Sequence, residues 1–180
     1  MSNINFLAIS GSLRTQSINS ALLRATARIA PTGISIGIFQ GLADLPLFNP
    51  DIEYTNPIAV GKLKSEIMAA DALIIASPEY AHGITGVLKN ALDWLVSSEV
   101  FINKPIALFN AAPRAVHAYA SLREIVTMMS AQVVEASCIT LPMSEGKFDE
   151  DRIYNDANMS VAIRAALQSL ALTVTKSRQP

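Results

Sequence analysis

The sequence predicts an α/β fold, a three-layer sandwich with a five-stranded parallel sheet between two helical layers. Three observations predict it. Short apolar runs alternate with segments of helical periodicity along the whole chain. The run at 72–77 is apolar almost throughout, as the centre of a parallel sheet is. Prolines and glycines fall at the junctions between runs. Strands and helices in this alternation form right-handed βαβ units, which build a doubly wound sheet.

Each element has its own signal. Residues 4–10 give the first strand, and the helix at 17–30 ends at Pro31 and Gly33. Residues 35–39 form a short second strand, followed by a loop through Leu45, Pro46, Leu47, Phe48, Asn49 and Pro50. A helix over 58–70 starts after Pro57. The third strand is 72–77, the next helix 86–96, the fourth strand 105–110 and the helix after it 117–129. Residues 133–141 hold the fifth strand and 158–175 the last helix. Residues 143–157 are the longest polar connection, and the tail after Thr175 is expected to fray. Five strands with helices on both faces suit the flavodoxin-like order 2-1-3-4-5. That order opens a ligand crevice at the switch between strands 1 and 3, shared by the loops after strands 1, 3 and 4. No internal repeat or interdomain linker interrupts the pattern, so residues 1–180 are read as one domain.

Composition narrows the function classes. With 51% hydrophobic and 16% charged residues, the chain is globular rather than disordered. A net charge of -1 gives no footprint for nucleic acid or an anionic membrane. No apolar run reaches the roughly 18 to 20 residues of a membrane span. The N-terminus has no basic segment ahead of a long apolar stretch, so no secretory signal is expected. The single Cys138 forms no internal disulfide, which fits the cytoplasm, and its apolar neighbours make it a core-filling residue. No His, Cys, Asp and Glu cluster has metal-ligand spacing. No Gly-x-Ser-x-Gly nucleophile elbow occurs.

The loop after the first strand carries the strongest chemistry. Ser10, Ser12, Thr15 and Ser17 supply hydroxyls, Asn19 an amide and Arg14 a cation, with no carboxylate among them. Gly11 sits within the loop, and Ile18 and Asn19 open the helix. A helix start presents unpaired N–H groups and the positive end of a dipole. With hydroxyls and an Arg added, it becomes a seat for phosphate. The competing reading is a Ser-rich capped turn. The loop lacks the Gly-Lys-Ser/Thr of a P-loop and the Gly-x-Gly-x-x-Gly of a dinucleotide fold. Hydroxyls in place of glycines suit a terminal phosphate monoester, and flavin mononucleotide (FMN) is one such ligand.

The loop after the third strand reads Ser77, Pro78, Glu79, Tyr80, Ala81, His82, Gly83. Such a loop can offer backbone groups to a flat ring while an aromatic shields it. The alternative is a plain strand-to-helix turn with Tyr80 packed on the core. Pro78-Glu79-Tyr80, with the run from Gly86 to Trp94, resembles the second signature of the NADPH-dependent FMN reductase family. Gly11, Ser12, Leu13 and Arg14, with Ser17 and Asn19, resemble its first signature. Leu45 to Asn49 is similar to that family's loop after the second strand.

The resemblance implies a flavodoxin-like fold, noncovalent FMN, reduced nicotinamide (NADPH or NADH) as donor, and homodimers or homotetramers. It implies small-molecule acceptors: flavins, quinones, azo dyes or metal oxyanions, served in turn at one flavin face, with the flavin rather than a side chain doing the chemistry. Ser12, Arg14, Ser17 and Asn19 would hold the phosphate. Pro78, Glu79 and Tyr80 would line the flavin ring, largely through backbone, with Ala81, His82, Asn110, Ala111 and Arg114 completing the site. A second subunit would cover part of the helix from Gly86, whose Leu92 and Leu95 need burial. Three positions depart from the family pattern. Ala81 stands where Asn is usual, Thr85 where Pro is usual, and Asn110 to His117 replaces a Gly-rich turn. Arg114 and His117 would then replace lost contacts or bind an anionic substrate. Trp94 is expected in the core. Outside enzymes, the sequence also fits a noncatalytic FMN carrier or redox sensor. A nucleotide-processing hydrolase would need a catalytic carboxylate, and none is assignable.

Overall fold

The computed structural model describes residues 3–143 and 148–178. Five parallel strand positions run in the predicted order. Strand β1 (Ile4–Ser10) pairs with β2 (Ile34–Ile38) on one side and β3 (Ala72–Ala76) on the other; β4 (Pro105–Asn110) follows β3. All residues of β3 and β4 are buried, which explains their near-continuous apolar sequence. Helices α1 (Ile18–Ile29), α5 (Glu150–Asn155) and α6 (Ala157–Ser177) cover one face through Leu22, Leu23, Ile153, Ile163 and Leu167. Helices α2 (Ile58–Ala69), α3 (Gly86–Asp93) and α4 (Val116–Met128) cover the other.

The fifth strand differs from the sequence reading. It is split into β5 (Gln132–Val133) and β6 (Ile139–Thr140), both parallel to β4. Between them the chain leaves the ladder in a tight turn at Glu135–Ser137, where the Glu135 carboxylate pairs with Arg123 of α4. The step would leave Leu108 of β4 short of a ladder partner. The Cys138 thiol takes that place, accepting from the Leu108 N–H at 3.4 Å. Cys138 therefore has a bonding role as well as a packing one. Burial pushes its thiol up from the ordinary value of 9.0.

Four further expectations are corrected. α3 ends at Asp93 rather than 96, because Leu95 and Val96 turn back to the carbonyls three residues earlier. Leu92 and Leu95 are buried within this chain, so they ask for no second subunit. The polar connection at 143–157, of which 144–147 lie outside the described residues, contains α5. Asp149 caps α5, and Glu150 and Asp151 pair with Arg24 and Arg28 of α1. Six residues are too few for a helical period to show in sequence. Finally, α6 passes Thr175 and runs to Ser177, with Arg178 paired to Asp71.

The long second motif also explains itself structurally. Asn90 accepts from the Phe48 N–H at 2.7 Å and donates to the Pro46 carbonyl at 2.9 Å. Trp94 Nε1 donates to the same carbonyl at 2.8 Å, and its ring meets Phe48 edge-on. Trp94 is fully buried, as expected of a core residue. Asn90 and Trp94 thus anchor the loop after β2 to α3.

Candidate functional site

At the C-terminal ends of β1, β3 and β4 a cavity of about 830 Å³ opens, within the range of small-molecule sites. Ser12, Arg14, Ser17, Ile18 and Asn19 line it from the first loop. Pro78, Glu79 and Tyr80 line it from the loop after β3, and Asn110, Ala111 and Arg114 from the loop after β4. The crossing from β1 to β3 places these loops side by side, as the strand order requires.

The first loop turns sharply and enters α1. Ser17 caps that helix, its hydroxyl accepting from the Ser20 N–H at 3.3 Å. The hydroxyl proton of Ser17 stays available to a ligand. The backbone N–H groups of Thr15, Gln16, Ile18 and Asn19 find no partner among the described residues. The Arg14 guanidinium has no ion pair there either. Asn19 is buried, yet its side-chain oxygen has no hydrogen-bond partner. A buried amide oxygen left alone is costly, and the Asn19 side chain lines the cavity beside these N–H groups. An anion with several oxygens satisfies the N–H groups and Arg14. The residues present therefore fit the phosphate of FMN.

Two residues of the expected set stand behind the wall rather than on it. Ser10 turns inward, its hydroxyl 2.8 Å from that of Ser20. At Gly11 an added Cβ would lie 2.6 Å from Ser77 Oγ, so only glycine lets the first loop approach the loop after β3. Ala81 and His82 do not line the cavity; they form the exposed tip of the second loop, at φ 49° and 60°. Their turn is closed by a reciprocal pair of backbone bonds between Tyr80 and Gly83, each 3.0 Å. The His82 ring stacks on His117 at 4.2 Å, so these two residues join the loop after β3 to the start of α4. Tyr80 is half exposed at the mouth and is not packed into the core.

The carboxylates along the cavity are engaged elsewhere. Glu79 accepts from the Ala118 N–H at 2.8 Å, which caps α4 from another loop. Asp149 accepts from the Arg152 N–H at 2.9 Å. Arg24 is paired with Glu150, whereas Arg114, like Arg14, has no ion pair among the described residues. Both wall carboxylates are thus held by backbone N–H groups, while Arg14 and Arg114 are left without an ion pair among the described residues. Asn110 folds back on its own loop, accepting from the Ala112 N–H at 3.0 Å. Among the described residues no group of His, Cys, Asp or Glu could hold a metal ion.

Sequence reasoning missed the side wall made by Met143, Phe148 and Asp149. Nothing in their types marks them; only the docking of α5 against α1 brings them to the cavity. It also missed Thr85 as a tie. Its hydroxyl donates to the Gly11 carbonyl at 2.5 Å and accepts from the Leu88 N–H at 3.3 Å.

Comparison with known proteins agrees with this geometry. The model of the NADPH-dependent FMN reductase family matches residues 4–146. An NAD(P)H-dependent FMN reductase of Pseudomonas aeruginosa is 33% identical over 182 residues, covering 98% of each chain. A 2-hydroxy-1,4-benzoquinone reductase of a Burkholderia species is 32% identical, covering 88% of this chain and 85% of its own. Among solved structures, an NAD(P)H:(acceptor) oxidoreductase of Paracoccus denitrificans superposes with a TM-score of 0.77 at 22% identity, covering 96% of this chain and 98% of its own. The last likeness supports the fold; the family match and the end-to-end relative carry more. The chain belongs to the NADPH-dependent FMN reductase family.

Proposed function

We propose that this chain is an FMN-dependent oxidoreductase that takes hydride from NAD(P)H and delivers electrons to a small-molecule acceptor, a quinone or a free flavin. The observation that carries it is the phosphate-shaped end of the cavity. Unpaired helix N–H groups and Arg14 converge there, beside Pro78 to Tyr80. When bound, FMN supplies the two-electron relay between nicotinamide and acceptor. Ser12, Arg14 and Ser17 hold its phosphate end. Pro78, Glu79 and Tyr80 present backbone to its ring, and Arg114 flanks the open mouth. Both substrates use that mouth in turn, so double-reciprocal plots at several acceptor concentrations should be parallel; intersecting plots would indicate two separate sites.

The relatives named above are reductases, which favours turnover over a noncatalytic carrier. The reading includes a homo-oligomer in the cytoplasm. Exposed Leu47, Tyr54, Ile58 and Val96 support an interface, and the free thiol of Cys138 and the supply of reduced nicotinamide support the location. Among the described residues no helix is long and apolar enough to cross a membrane.

The test is an absorbance titration of apoprotein with FMN, riboflavin and FAD, followed by anaerobic NADPH. FMN should bind more than tenfold tighter than riboflavin, on the order of one charge-assisted hydrogen bond. NADPH should then bleach the flavin, and a quinone should restore it. Equal affinity for riboflavin would remove the phosphate reading. Bleaching without restoration by any quinone or flavin would favour a carrier.

A further inference from the structure

We propose that Thr85 is a positioning residue for the phosphate end of the site, its buried hydroxyl fixing the first loop through the Gly11 carbonyl. This rests on the FMN reading above. Thr85 lies on the first turn after the ring loop, 74 residues from Gly11 in sequence, and is 4% exposed. Its hydroxyl uses both of its capacities. The proton goes to the Gly11 carbonyl at 2.5 Å, and a lone pair takes the Leu88 N–H at 3.3 Å. One atom therefore caps α3 and clamps the neighbouring loop to it.

The clamp falls at a point where the chain has no other freedom. The Gly11 N–H is bonded to the Ala76 carbonyl at 2.8 Å, and its missing side chain leaves room only for Ser77. The peptide between Gly11 and Ser12 is thus held at its carbonyl by Thr85 and at its N–H by the Ser10 hydroxyl, which accepts from Ser12 at 3.3 Å. The orientation of Ser12, and through it of Arg14, follows from that peptide. The Ser12 hydroxyl accepts from the Arg14 N–H at 3.3 Å, which carries the constraint along the loop. The ring loop does not depend on Thr85 in this way. It is closed by its own Tyr80–Gly83 bonds and tied to α4 by Glu79. Loss of the hydroxyl should therefore fall on phosphate recognition and spare the ring. A proline at this position, the usual family residue, has no hydroxyl to make such a clamp.

The test compares FMN and riboflavin affinities in wild type, Thr85→Val, Thr85→Ala and Thr85→Ser, by flavin fluorescence quenching on apoprotein. The wild type must first prefer FMN; if it does not, the phosphate reading fails and the proposal with it. If it does, Val and Ala should each weaken FMN about three- to tenfold, the worth of one neutral hydrogen bond, with riboflavin unchanged within about twofold. Ser should restore FMN binding. Hydrogen exchange at the Ser12 and Leu13 amides of apoprotein should quicken in the Val variant and recover with Ser. An unchanged FMN preference in Val and Ala would overturn the proposal while leaving the FMN reading intact. Equal loss of FMN and riboflavin would also overturn it, since that is the mark of a helix cap or of unfolding alone.

Discussion

The starts of α1 and α4 face the same cavity but are built differently. α1 opens on its own hydroxyl, Ser17, and leaves its first N–H groups for a ligand. α4 opens at Ala115 with no side-chain cap of its own, and Glu79 reaches across from the loop after β3 to fill the gap. A local Ser cap is worth about 1 kcal/mol. A borrowed carboxylate is stronger per bond, but it links two loops that are 39 residues apart in sequence. The α1 end of the cavity is thus set by its own sequence, and the α4 end is set by what the loop after β3 does. Substitutions in the loop after β4 can change acceptor choice while the phosphate seat stays as it is.

The sharpest way to break this comparison is to remove one cation from each end. Arg14→Ala should weaken FMN roughly ten- to hundredfold, the worth of one charge-assisted hydrogen bond, with riboflavin unchanged. Arg114→Ala should treat FMN and riboflavin alike and raise the KM of an anionic substrate instead. Isothermal titration with both flavins decides it. If Arg114→Ala loses FMN selectively, the phosphate contacts both loops and the two ends are not independent.

The next effect in size tests the borrowed cap. Glu79→Ala should lower unfolding stability by about 1–2 kcal/mol, because the Ala118 N–H loses a charged acceptor that is only partly buried. Glu79→Gln keeps an acceptor and should lose about half as much or less. Urea midpoints measure both. If Glu79→Ala matches wild type, α4 is held by packing alone and the link between ring loop and mouth is absent.

The same contrast explains what the sequence disclosed. Strands β1 to β4, their order and the capped turn into α1 were legible because their signals are local: apolar runs, a hydroxyl cap, a helix start. The break in the fifth strand was not, because Val133 to Leu141 is mostly apolar and nothing local says that Glu135 leaves the ladder for Arg123. Glu79 was visible as a residue, but its role depends on an N–H contributed by another βα unit. Ala81 and His82 belonged to the right loop, yet a turn closed between Tyr80 and Gly83 carries them off the wall.

That turn offers a smaller test. Ala81 is held at φ 49°, in the left-handed region where a Cβ is strained. Asn, the usual family residue there, tolerates this region better, and Gly has no Cβ to strain. Ala81→Asn and Ala81→Gly should each raise stability, by about 0.5 kcal/mol once the unfolded-state entropy of Gly is set against the relief. Thermal midpoints of apoprotein would register the gain. A fall in both variants would mean that the Ala81 methyl makes a contact worth more than the strain.

The least perturbing test lies farthest from the cavity, at the step in the fifth strand. Burial raises the Cys138 thiol, so the native chain keeps this proton at a pH where the unfolded chain has released it. With fewer protons bound in the unfolded state, stability falls as pH rises. The thiol's contribution is whole below the ordinary value of 9.0 and is lost as pH climbs from there through the raised native value. Tyr119, also raised by burial and by its neighbour Cys138, adds a decline of the same sign from about pH 10. Cys138→Ser leaves an acceptor for the Leu108 N–H and removes the thiol titration. A loss of stability that begins near pH 9 and precedes the tyrosine range should therefore be present in wild type and absent from the Ser variant. Flavin reduction by NADPH should be the same in both, since the thiol lies off the cavity wall. Parallel pH profiles would show that the thiol is not desolvated at the strand break. A variant that binds FMN but cannot be reduced would make Cys138 part of the redox path.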